Sequence, residues 1–312
     1  MSTEENRKDE QELCFIVGPT AAGKTELALA LAEASDAWIC SLDSMLVYRG
    51  MDIGTAKPSL EERERVRHFC IDLVDPPERY DAQRYLKDVE AAQREAASHG
   101  KRLLFAGGTG FYLKLLIFGL FEGPPVDLDV RAQLEARVEE EGLAVLVGEL
   151  ATFDPVSAGR IHPNDKKRIL RAHEVYVQTG KPMSELQRSW GWDGPPQARP
   201  HRILGLRRPA EVQEERIRER THHMLEEGWI DEVRTIRDGC GFGPTSIQAL
   251  GYRQVLAHLE GELDREACAA EIALKTRQFA RRQRTWFRSF DVKWIDPAQA
   301  DGIEQARVAL GL

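Results

Sequence analysis

Gly18-Pro19-Thr20-Ala21-Ala22-Gly23-Lys24-Thr25 reads G-x-x-x-x-G-K-S/T, the spacing of a phosphate-binding loop. The glycines let the backbone wrap until its N–H groups point inward at phosphate oxygens. Lys24 brings a point charge to the outer phosphates, and Thr25 offers the hydroxyl that usually takes Mg²⁺. The flanks decide the fold. Leu13-Cys14-Phe15-Ile16-Val17 is a short apolar run suited to a buried strand, and the stretch from Glu26 to Ala32 is a strong helix former. Strand, loop and helix in that order give the octapeptide its meaning.

Working outward, Ala37-Trp38-Ile39-Cys40-Ser41-Leu42 predicts a second strand that ends at Asp43, and His68 to Leu73 a third. Asp81 to His99 predicts an amphipathic helix, and Lys101 to Ala106 a fourth strand running into Gly107-Gly108-Thr109-Gly110. Such alternation implies a parallel sheet with helices on both faces and ligands gathered at the carboxyl ends of its strands. Gly123-Pro124-Pro125 and residues 191–200 are breakers, and the text between them is helical. A strand returns at His201–Leu206, helices follow over Ala210–Asp238 and Asp264–Phe290, and Val292–Ile295 predicts a last short strand. The expected architecture is α/β: a P-loop parallel sheet flanked by helices, discontinuous over residues 11–122 and 198–298. A helical subdomain is inserted at 123–197, and residues 1–10 and 299–312 are expected to be flexible or peripheral.

Forty-three Lys and Arg against 51 Asp and Glu leave a formal charge of −8 over 312 residues, so any nucleic-acid site must be a local patch. No apolar run approaches a membrane span, and the polar first dozen residues lack both a secretory core and a transit-peptide bias. A cytoplasmic monomer is expected. Five scattered cysteines without a C-x-x-C pair point to reduced, buried thiols rather than zinc or redox chemistry.

Four further constellations can carry chemistry. Asp43-Ser44 follows the second strand, where a carboxylate can hold a hydrated cation, take a proton, or simply cap a turn. Gly107-Gly108-Thr109-Gly110 allows close backbone approach and a hydroxyl donor, or a plain structural turn. Arg216 and Arg220 share a helix face among Glu214, Glu215 and Glu219, which by itself reads as a solvated, salt-bridged helix. Arg277, Arg281, Arg284 and Arg288 step at i, i+4, i+7 and i+11, with Ile272, Phe279, Trp286 and Phe290 opposite to anchor the helix. With no acid from Ile272 through Phe290, this stripe suggests phosphate contacts, as does Arg160, His162, Lys166, Lys167, Arg168 and Arg171 in the insertion.

From about Leu13 to Ile295 the chain resembles the tRNA dimethylallyltransferases (tRNA isopentenyltransferases). The resemblance rests on GPTAAGKT at 18–25, SLDSMLVYRGMDIGTAKP at 41–58, GGTGFY at 107–112, IHPNDKKRILRAHEVYVQTGKP at 161–182, SIQALGYRQ at 246–254 and KTRQFARRQRTW at 275–286. His68-Phe69 stands where family members often carry paired histidines, and the missing C-x-x-C fits the bacterial type. The resemblance implies that dimethylallyl diphosphate is the co-substrate, with Mg²⁺, and that N6 of the adenosine 3′ of the anticodon is the acceptor. The loop would then bind a diphosphate leaving group rather than ATP. By the same resemblance Asp43 is the general base, and Thr109, Arg220 and Lys24 stabilise the departing diphosphate. The anticodon arm of tRNA is expected along Asp43, Ser44, Met45 and Leu46; near Arg131; along Lys167, Arg168, Ile169, Leu170 and Arg171; along Gln248, Ala249, Leu250, Gly251, Tyr252 and Arg253; and along Lys275, Arg277, Gln278, Arg281, Arg282 and Arg284.

Three rivals remain at this level. A P-loop kinase explains the loop and Asp43 but not the basic patches. An ATP-driven RNA switch explains the patches but not Asp43-Ser44-Met45 with the GGTG turn. A prenyltransferase for free adenine nucleotides has no use for the 161–165 stretch or the arginine helix.

Overall fold

The computed structural model describes residues 12–120, 123–187, 198–298 and 302–312. In chain order the elements are β1 (Leu13–Val17), α1 (Lys24–Ala34), β2 (Ala37–Leu42), α2 (Leu60–Arg65), β3 (His68–Phe69), α3 (Ala82–Ser98), β4 (Arg102–Gly107) and α4 (Gly110–Phe118). Helices α5 (Leu128–Glu141), α6 (Leu143–Phe153), α7 (Pro155–Arg160), α8 (Lys166–Thr179) and α9 (Met183–Leu186) follow. The chain then forms β5 (His201–Leu206), α10 (Ala210–Glu226), α11 (Trp229–Asp238), α12 (Tyr252–Leu259), α13 (Arg265–Phe287), β6 (Lys293–Ile295) and α14 (Gly302–Leu310).

The six strands form one parallel sheet in the order β3-β2-β4-β1-β5-β6. Every residue of β1 is buried, because helices cover both faces; this is why its sequence is a continuous apolar run rather than an alternation. On one face Ile16, Leu104 and Leu204 meet Leu27 and Leu31 of α1. Elsewhere Phe15 and Phe105 lie with ring centroids 5.2 Å apart. Each such side chain stabilises the fold by about 1.5–3 kcal/mol. Helix α3 starts where Asp81 accepts from the Arg84 N–H at 3.0 Å, and it buries Tyr85, Val89, Ala92 and Ala96 along one stripe.

Two expectations are corrected here. The third strand is only two residues long: Cys70 and Asp72 take φ of 59° and 54°, which turns the chain out of the ladder. The carboxyl end is not peripheral either. Helix α14 buries Ala306 and Leu310 in the same core as β1 and α1, at positions an amphipathic helix presents on one face. Residues 1–10 of the expected amino-terminal tail lie outside the described residues.

The chain divides into two compact units, 1–117 with 199–312, and 118–198. The second unit has its own core of Leu134, Leu146, Leu150, Ile169, Leu170 and Val175. Asp154, fully buried, caps α7 by accepting from the Ser157 N–H at 3.0 Å and also accepts from the Ser184 N–H at 3.0 Å. In the first unit the Arg199 N–H donates to the Ile117 carbonyl at 3.0 Å, so the two ends of the interrupted chain meet.

Candidate active site

Sheet register builds the site. Val17 and Leu42 both pair with Gly107, so Gly18, Asp43 and Gly108 leave the carboxyl edge of the sheet side by side. Gly18 has a φ of 155°, and a Cβ there would lie 2.7 Å from the Leu206 carbonyl; only glycine lets β1 turn into the loop against β5.

A loop that turns its N–H groups toward an anion must turn its carbonyls away and find donors for them. Here four consecutive carbonyls are each taken by a side chain. Lys24 Nζ donates to Pro19 O at 2.9 Å, Gln213 Nε2 to Thr20 O at 2.8 Å, Arg216 Nε to Ala21 O at 3.1 Å and Arg208 Nε to Ala22 O at 3.1 Å. Arg216 therefore grips the phosphate loop rather than standing in a solvated ion-pair row. Sequence alone missed Arg208 and Gln213, since nothing in their local text separates a polar residue after a strand or in a helix's first turn from surface.

Lys24, Asp43 and Arg220 act on one another electrostatically. Loss of water pulls the Lys24 ammonium down to about 8, with Arg220 pushing the same way and Asp43 opposing. Burial pushes Asp43 above the ordinary aspartate range, against the N–H of Met45, which donates to its Oδ1 at 2.8 Å, and against the two cations. Burial likewise lowers Arg220, opposed by Asp43. Thr109 stands beside them: its Oγ1 accepts from the Ser44 N–H at 3.3 Å, and its own N–H donates to Leu42 O at 3.0 Å. A hydroxyl that accepts in this way can still donate its own proton to an anion.

A cavity of about 660 Å³ opens against this group. Asp43, Ser44, Met45, Thr109 and Arg220 line it, with apolar walls from Ile217, Met224, Trp229, Leu250, Ile272 and Phe279. Gln248, Ala249, Gly251, Arg253, Lys275, Gln278 and Arg282 also reach it, and the Arg282 guanidinium lies 5.7 Å from the Phe279 ring centre. Phe279 thus faces the cavity instead of serving only as a core anchor. One wall is held by Glu232, whose carboxylate accepts from the N–H groups of Asp52 (2.7 Å), Ile53 (2.6 Å) and Gly54 (3.2 Å) and from the Tyr252 hydroxyl (2.6 Å). That role is invisible in a mixed-charge helix sequence.

Several expected contact residues are placed otherwise. Tyr252 is wholly buried, which leaves its ring inside the wall, while Ala249, though nearly buried, still reaches the cavity. Arg277 pairs with Glu214 at 3.3 Å, and Arg284 donates to Gln213 Oε1 at 2.5 Å, so these two members of the arginine stripe face α10; Arg281 is exposed. In the helical unit Ile169 and Leu170 are core residues. Arg131 and Arg171 both pair with the fully buried Glu174, Arg171 at 3.2 Å, while Lys167 and Arg168 are exposed. Thr25 and Leu46 line a separate cavity of about 40 Å³ with Ser41 and His68, although the Leu46 N–H also donates to the Asp43 carboxylate. Among the described residues no three His, Cys, Asp or Glu gather as a metal cage.

A glycine-bearing loop at the strand ends of a parallel sheet, beside a cavity with apolar walls and one carboxylate, stands where α/β proteins of this class gather their ligands. The family model described as IPP transferase matches residues 46–290, and that described as isopentenyl transferase matches 11–76. The tRNA dimethylallyltransferase of Syntrophobacter fumaroxidans is 44% identical over 296 residues, covering 93% of this chain and 84% of that protein. The fold is similar to the full-length tRNA isopentenylpyrophosphate transferase of Bacillus halodurans, at a TM-score of 0.69 and 34% identity over 96% of this chain and 95% of that one. It is similar also to a eukaryotic dimethylallyltransferase acting on tRNA, at a TM-score of 0.79 and 27% identity over 96% and 77% of the two chains. The chain belongs to the tRNA dimethylallyltransferase family of prenyl-transferring enzymes.

Proposed function

We propose that this chain transfers the dimethylallyl group of dimethylallyl diphosphate to N6 of the adenosine 3′-adjacent to the anticodon, in tRNAs reading codons that begin with U. The products are N6-isopentenyladenosine and diphosphate. The observation that carries the reading is the linked trio Lys24, Asp43 and Arg220 beside Thr109 and a cavity with apolar walls.

The chemistry follows from those groups. The bond from the allylic carbon to the diphosphate oxygen breaks while the bond to N6 forms, so negative charge grows on the diphosphate and positive charge on N6. Lys24, Arg220 and the Thr109 hydroxyl meet the first, pre-oriented where water is scarce. Asp43 meets the second by taking the N6 proton; its raised pKa brings it closer to working pH, where a base is most effective. The apolar walls suit a five-carbon tail, and an adenine stacked in an anticodon loop must flip out to reach them. The Thr25 hydroxyl is an oxygen donor of the kind Mg²⁺ takes and is the residue that would hold the ion. Mg²⁺ would supply neutralisation of the leaving group's charge. Lys167 and Arg168 of the helical unit, with Lys275, Gln278, Arg282, Gln248 and Arg253, offer the polar contacts for the RNA. The protein would act in the cytoplasm as a monomer.

Mass analysis of nucleosides from unmodified tRNA, incubated with the protein, Mg²⁺ and dimethylallyl diphosphate, tests this directly. Prenylated adenosine at the position after the anticodon is expected; its absence, with ATP hydrolysed instead, would favour the RNA-switch reading.

A further inference from the structure

We propose that Gln283 is a positioning residue for the transfer, setting the distance between the phosphate loop and the Gly108-Thr109 turn. The inference rests on the function proposed above. Gln283 is 5% exposed on α13, yet both ends of its carboxamide are used. Its Oε1 accepts from the Thr20 N–H at 2.9 Å, and its Nε2 donates to the Gly108 carbonyl at 2.9 Å. A primary amide on a two-methylene stem offers a neutral donor and acceptor at that reach; a carboxylate lacks the donor, and asparagine is shorter. The fit is built from both sides, because a Cβ on Gly108 would lie 2.1 Å from Gln283 Nε2.

The neighbouring residue completes the tether. The Thr20 carbonyl accepts from Gln213 Nε2 at 2.8 Å, and Gln213 Oε1 accepts from Arg284 at 2.5 Å. Both backbone polar groups of Thr20 are thus tied to consecutive residues of α13, one directly and one through α10. Two consequences follow. The Thr20 N–H is withdrawn from the donors a phosphate can use, so the anion is left to the later loop groups near Lys24. And the helix that shows Lys275, Gln278 and Arg282 to the cavity also holds the loop that grips the leaving group. The reacting carbon must lie between a diphosphate oxygen fixed by the loop and an acceptor nitrogen fixed elsewhere, and a shift of about 1 Å in such a pair lowers a rate about 10²-fold.

The test compares wild type, Gln283→Met and Gln213→Leu, two neutral substitutions on different helices. Isothermal titration with inorganic diphosphate reads the loop, steady-state kinetics read both substrates, and filter binding reads tRNA. Gln283→Met is expected to weaken diphosphate binding and lower kcat, each by about tenfold or more, with tRNA affinity within about twofold. Gln213→Leu is expected to give the same pattern at about a third of the size. Diphosphate affinities within about twofold of wild type in both variants overturn the proposal, as does a loss of tRNA affinity equal to the loss of kcat. If wild type makes no prenylated adenosine, the proposed function fails, and the diphosphate titration still decides the role of Gln283.

Discussion

Lys24 shows how a buried charge weighs on a fold. Held at about 8, it titrates below an unfolded lysine at about 10.4. Between those values the unfolded chain holds more protons than the folded one, so this group's contribution to stability rises with pH across that window and is unfavourable at neutrality. Lys24→Met is therefore expected to raise the Tm of the ligand-free protein at pH 7 while abolishing transfer; calorimetry that gives an unchanged or lower Tm would show the buried cation to be no burden. The same groups set the pH profile. kcat/KM should fall as pH rises through about 8, where Lys24 loses its charge, and fall again on acidification at a pH above the ordinary aspartate range, where Asp43 is protonated. Asp43→Asn should lower kcat by about 10²–10⁴-fold with little change in tRNA affinity. Near-normal turnover would return Asp43 to the status of a turn residue.

At the scale of elements, α13 has two working faces where the sequence offered one stripe. Arg277 is 44% exposed and its Glu214 partner 56%, so the pair is worth at most about 1 kcal/mol, and Arg277→Ala should leave tRNA binding near wild type. Lys275 and Arg282 line the cavity instead. The double change Lys275→Ala with Arg282→Ala should weaken tRNA binding and flatten its log–log salt dependence by up to about two units. Equal slopes in the double mutant and wild type would place the RNA elsewhere. The wall loop is an element of the same kind, since one carboxylate of α11 orders residues 52–54. Glu232→Ala strands three N–H groups and the Tyr252 hydroxyl, and should destabilise the protein by about 2–3 kcal/mol, read from the urea midpoint.

For the whole molecule, the meeting of Ile117 and Arg199 is the informative contact. Each unit has its own core, and the ends left by removing 118–198 are already hydrogen-bond neighbours. A chain in which a short Gly-Ser linker replaces 118–198 should fold, keep its affinity for dimethylallyl diphosphate and bind tRNA at least about tenfold more weakly, since it lacks Lys167 and Arg168. Loss of diphosphate binding in a folded variant would show that the helical unit takes part in the donor site.

The fold class was legible because its signals are local. Strand β1, the loop and α1 follow from an apolar run, two glycines and a helix-forming stretch, and alternation after them implies the parallel sheet. Asp43 and Thr109 were legible as well, since a residue just past a parallel strand must stand at the carboxyl edge. Tertiary structure decided the rest, because a side chain's partner across the chain leaves no mark in its neighbours. Ile169, Leu170 and Tyr252 sit in motif positions but serve cores, and Arg131 and Arg171 answer a single buried carboxylate at Glu174. Gln213, Glu232 and Gln283 read as ordinary helix polarity until folding brings each to a backbone group far along the chain. Periodicity tells which residues share a face; only packing tells what that face meets.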